Sequence, residues 1–110
     1  MIAHDSRGIP ENARTLSEPV SRRVREAIEA RWSATTEADI GRTTDALAGA
    51  LDEAAVEARE RSLHPEELIL AIKALEDQVA AAHGRTVYAD RRQLRDRLVT
   101  ACIQAYFRPR

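Results

Sequence analysis

The sequence predicts an all-α fold: a small four-helix, mostly antiparallel bundle with a flexible N-terminal arm. Three observations carry that expectation. Apolar residues recur three and four positions apart in four separate stretches, the spacing that gathers side chains on one face of a helix. The 27 large apolar residues are accompanied by 20 alanines, and alanine has the best helix propensity and lets helices approach closely. Pro19, Pro65 and Pro109 fall where helices would begin or end rather than inside them. A chain of 110 residues suits a single domain. Folding at this length buries about 65% of the unfolded surface, enough for an independent core.

Residues 1–16 show no period: Gly8, Pro10 and Asn12 stand among charges, with isolated Ile2, Ile9 and Leu16. They read as a flexible arm, leaving 17–110 as one helical domain. Helix one is expected over 18–32, with Ser17 as N-cap, Pro19 in the first turn, and Val20, Val24, Ala27, Ile28 and Trp32 on one face. Helix two is expected over 36–62, capped by Thr36. Its seam of Ile40, Thr44, Leu47, Leu51, Ala54 and Ala58 advances by alternating steps of four and three, as paired helices require. Gly41 and Gly49 weaken it, unless Gly49 permits a close contact with another helix.

Helix three, 65–83, has the clearest start. Pro65 suits a first helical position, and Glu66 and Glu67 face the positive end of the dipole. Leu68, Ile72, Leu75 and Val79 form its stripe, and Ile69 and Leu70 widen it into the arc expected of a central helix. Gly84 stops it. After a loop over 84–89, helix four is expected over 90–107, with Asp90 as cap and a stripe through Leu94, Leu98, Ala101, Cys102 and Ala105. Val99, Ile103, Tyr106 and Phe107 broaden that stripe.

The formal net charge is −1, so no overall field selects nucleic acid or an anionic membrane. Its distribution is uneven. Residues 34–83 carry 11 acidic and 4 basic side chains, whereas 84–110 carry 7 arginines and 2 aspartates. Arg85, Arg91, Arg92, Arg95 and Arg97 cluster around the start of helix four, where cations oppose the helix dipole and therefore call for a partner. Three partners are open: the acids Glu53, Glu57, Glu60, Glu76 and Asp77 of the same bundle, another protein, or nucleic acid. No aromatic residues interleave these arginines for base stacking.

The residues give no support to catalysis. His4, His64 and His83 share no metal-ligand spacing with one another or with the single cysteine. His64 reads as a helix cap, and His83 sits too close to a helix end for an exposed phosphate-accepting position in mid-helix. Cys102 lies among apolar neighbours and reads as buried and inert. No Ser-His-Asp order, glycine-rich phosphate loop or paired-carboxylate signature is present. No enzyme activity, cofactor, metal or small-molecule substrate is expected. With no apolar run of membrane-spanning length and no signal-peptide pattern after Met1, the expected location is the cytoplasm. Sixteen of the 17 basic residues are arginine, which with the alanine content suggests a GC-rich bacterial genome.

The function expected is therefore a non-enzymatic protein–protein interaction or assembly subunit that forms a homo-oligomer, most simply a homodimer. Its candidate contact residues are Arg85, Arg91, Arg92, Arg95, Leu70 and Ile103. The alternative is a small nucleic-acid-associated regulator working through the arginine-rich last helix.

Overall fold

The computed structural model describes residues 15–83 and 88–108, with side chains of the last helix described from residue 92 onward. These residues form four helices: α1 (Glu18–Ser33), α2 (Glu37–Glu60), α3 (Pro65–Ala82) and α4 (Tyr88–Tyr106). There is no strand among the described residues.

The helix starts follow the caps. The Val20 N–H donates to the Ser17 hydroxyl at 3.4 Å, and the Asp39 N–H donates to Thr36 Oγ1 at 3.1 Å. Each satisfies one of the backbone donors that a helix N-terminus leaves without a partner. At α3, His64 is the extended N-cap residue, and its own N–H donates to Glu67 Oε1 at 2.7 Å, the return leg of a capping box. The fourth start differs from expectation. Helix α4 begins at Tyr88, so Asp90 falls inside the first turn instead of capping it. Aspartate is favoured by the dipole at either position, which is why its presence alone misplaces the start by two residues.

Helix α1 packs on α2 and α3, and α4 packs on the same two. Helices α2 and α3, although consecutive, meet only sparingly, and the backbones of α1 and α4 do not approach closely among the described residues. The helices thus occupy the corners of a four-sided bundle in the order α1, α2, α4, α3. The start of α1 lies beside the end of α2, where Arg23 reaches Glu53. The C-terminal part of α3 lies beside α4 where Glu76 meets Arg95.

The core collects the expected stripes: Val24 and Ile28 from α1, Leu51 from α2, Leu68, Ile72 and Val79 from α3, Leu98 and Cys102 from α4, each no more than 2% exposed. The α2 seam is sealed only from Leu47 onward, because Ile40 is half-buried and Thr44 is exposed. Gly49 is exposed, and a Cβ built on it or on Gly41 would meet nothing within 4 Å. Among the described residues the close helix contact considered for Gly49 is therefore absent.

The arm assigned to 1–16 lies outside the described residues up to residue 14. Its last two residues belong to the folded body. Leu16 is 5% exposed within the core, the Ser17 N–H donates to Glu57 Oε1 at 2.6 Å, and Arg61 donates to the Thr15 carbonyl at 2.8 Å.

The link from α2 to α3 is a Schellman turn built without glycine. Ser62 has φ 61, the left-handed conformation. The Ser62 N–H donates to the Arg59 carbonyl at 3.2 Å and the Leu63 N–H to the Ala58 carbonyl at 2.8 Å, the two bonds that define the motif. Leu63 is 1% exposed, packing in the same core as Ala58, and its carbonyl accepts from the Tyr106 hydroxyl at 2.7 Å. That hydrogen bond fixes the link against the far end of α4.

Candidate interaction site

The arginine cluster of α4 divides by helix face. Arg95 precedes Leu98 by three residues and Cys102 by seven, so helical spacing places it on the same row as the core. Its Nε and Nη2 donate to Glu76 Oε1 at 3.1 and 2.5 Å, and Nη2 also bonds Asp77. The Glu76 side chain is fully buried and that of Arg95 is 31% exposed. Hydrogen bonding to Glu76 raises the Arg95 pKa above its ordinary value, burial works against this, and Asp77 adds to the rise. A carboxylate removed from water requires such a partner. Arg95 is therefore an internal cation that joins α4 to α3.

Arg92 and Arg97 are exposed. Arg85 and the Arg91 side chain lie outside the described residues. The other acids named from the sequence act elsewhere. Glu53 takes a two-pronged bond from Arg23 of α1, with both contacts at 2.7 Å, and Glu57 accepts the Ser17 N–H. Glu53 and Glu57 of α2 thus answer the α1 side, and Glu76 and Asp77 of α3 answer Arg95 of α4.

A second feature lies at the C-terminal end of α4. Arg59 of α2 donates to the Tyr106 and Arg108 carbonyls, both at 3.1 Å, and Arg108 pairs with Asp52 at 2.7 Å. These bonds satisfy carbonyls that a helix end leaves open. Beside them stand Ile103 and Phe107, one turn apart, 42% and 66% exposed. The Phe107 ring meets the Tyr106 ring edge-on at 5.1 Å. Leu70 of α3 is 64% exposed, because it faces away from the row through Leu68 and Ile72. Ile69 and Val99, its companions in the sequence argument, are half-buried.

The remaining reactive side chains have structural settings. Cys102 is 1% exposed, and burial pushes its thiol up to about 12, so the nucleophilic thiolate is suppressed at neutral pH. His83 Nε2 lies 3.0 Å from Glu29 Oε2, and its ring meets Trp32 edge-on at 6.3 Å, which ties the end of α3 to the end of α1. Among the described residues no group of three or more His, Cys, Asp or Glu could hold a metal ion, and no helix is long and apolar enough to cross a membrane.

What the sequence left open was which arginine is internal. The signal was a charged residue at a core position on each of two helices: Arg95 in the row with Leu98, and Glu76 in the row with Ile72 and Val79. Comparison of the chain with protein-family models, curated proteins and solved structures finds no match in any of the three.

Proposed function

We propose that this chain is a non-enzymatic interaction or assembly subunit that pairs with a second copy of itself. The observation that carries the reading is the exposure of Ile103 and Phe107, one turn apart at the C-terminal end of α4. Large apolar side chains left side by side in water favour association, and closed two-fold pairing is the commonest outcome for one such surface. Leu70 on α3 is a further large apolar side chain exposed to solvent. The single buried cysteine and the composition support a reducing bacterial cytoplasm as the setting.

The internal pairing of Arg95 favours this reading over the nucleic-acid alternative, since it removes one cation from the arginine cluster. Sedimentation equilibrium at micromolar concentration and physiological salt is the test. A dimer is expected, with Ile103→Glu/Phe107→Glu returning it to a monomer of unchanged helix content. A single species at the 12.3 kDa monomer mass in the unmodified chain would overturn the proposal. Retention on a DNA resin that persists past physiological salt would favour the regulator instead.

A further inference from the structure

We infer that the bundle holds a binding site for a small apolar carboxylic acid, in a groove between the end of α1, the first half of α2 and the first half of α4. The groove encloses about 130 Å³. Its apolar lining includes Leu47, Leu51, Leu94 and Leu98, and Arg31 and Arg97 stand with it from α1 and α4. Leu51 and Leu98 are each 2% exposed, so the floor is part of the packed core.

Size and charge together define the occupant. Leucine-lined cavities of about 150 Å³ hold a benzene ring, so this space takes one ring or a short branched chain and is far too narrow for a helix. The two guanidinium groups come from different helices, and among the described residues neither bonds a carboxylate. Among the described residues no acidic one lines the groove. Asp96 lines a neighbouring shallow depression that shares Arg97 and Ala101, so the anionic end of a ligand is best placed toward Arg31. Two arginines lining an otherwise apolar groove match a molecule with a carboxylate at one end and a hydrocarbon body at the other, because charge-assisted bonds would hold the first while the floor buries the second.

The site is separate from the Ile103–Phe107 surface, so it stands or falls independently of self-association. The test is an amide-resolved NMR titration of the full chain with phenylacetate to about 20 mM, beside its neutral isostere phenylacetamide. Saturable shifts centred on residues 44–51 and 94–101 are expected, with phenylacetamide at least fivefold weaker. Arg31→Gln/Arg97→Gln should bring the acid down to the affinity of the amide. Ala48→Leu, which adds a side chain at the rim of the groove, should weaken both ligands while leaving the spectrum of a folded bundle. Absence of saturation, equal affinity for acid and amide in the unmodified chain, or undiminished binding to Ala48→Leu would each overturn the proposal.

Discussion

Replacing the two glycines of α2 with alanine should stabilise the protein. Gly49 sits in the middle of a helix of 24 residues, and Gly41 lies near its start. Glycine in a helix interior costs about 0.8–1.0 kcal/mol relative to alanine, through the greater freedom it loses on folding. A clash would reverse that gain, but a Cβ at either position meets nothing within 4 Å. Gly49→Ala should therefore gain about 1 kcal/mol. Gly41→Ala should gain about 0.5 kcal/mol, because helix ends fray and express propensity only in part. Eight residues at 1.5 Å each separate the sites by about 12 Å, far enough for the effects to add. The double variant gains about 1.5 kcal/mol, or a rise in Tm of about 6–12 °C for a domain of this size. Urea unfolding followed by helical circular dichroism, with an unchanged slope, is the assay. A loss of stability at Gly49 at high protein concentration, absent on dilution, would refute the reasoning and show that a neighbouring copy packs on that face.

The opposite exchange is predicted to help at Ser62, where φ 61 is strained for an L side chain: Ser62→Gly should gain about 0.5–1 kcal/mol in the same assay, since the relief of about 1–2 kcal/mol exceeds glycine's entropy in the unfolded chain. Ile72, 1% exposed, should cost about 2–5 kcal/mol on truncation to alanine; an unchanged thermal midpoint would mean that α3 is not central. Arg95→Ala should cost about 1.5–3 kcal/mol by removing hydrogen bonds to a buried carboxylate, and a double-mutant cycle with Glu76→Gln should return a coupling well above that of Arg23 with Glu53 on the surface. Cys102 should label slowly until the protein unfolds. Because burial pushes the folded thiol from its ordinary 9.0 up to about 12, the folded state keeps a proton that the unfolded state releases. Stability attributable to Cys102 is therefore full below pH 9 and falls as the pH rises from about 9 toward 12. Cys102→Ala should lack that part of the alkaline decline.

Much of this architecture is legible in the residues because local chemistry decides it. Ser17, Thr36 and Pro65 mark helix starts by accepting orphan backbone bonds or by lacking an N–H, and neither effect depends on what packs nearby. The stripe Leu68, Ile72, Leu75, Val79 is equally local. The α2–α3 turn was less visible, since its left-handed residue is Ser62 where glycine would have announced it. Which acid serves which arginine was not legible either. Glu76 stands in the core row of its helix and Glu53 does not, but only the corner order of the helices gives Glu53 to Arg23 and Glu76 to Arg95. The surplus position of Leu70 marks it as a contact residue in the sequence, but the exposure of Phe107 was hidden: a broad apolar arc shows that a helix has several neighbours without saying which side lacks one.

The diagonal placement of α2 and α3 has a consequence for how the chain could be divided. The bundle is two helical hairpins, α1–α2 and α3–α4, joined by the Schellman turn. Each hairpin alone would leave its inner row in water, so neither is expected to be stable by itself. Cut between Ser62 and Leu63, the molecule would become peptides of 62 and 48 residues that fold only on meeting, with Arg23–Glu53 inside the first and Glu76–Arg95 inside the second. Tyr106 to Leu63 would remain within the second peptide, and the Arg59 contacts with the end of α4 would cross between them. The single chain would thus contain a complementing pair, which the link holds at high effective concentration.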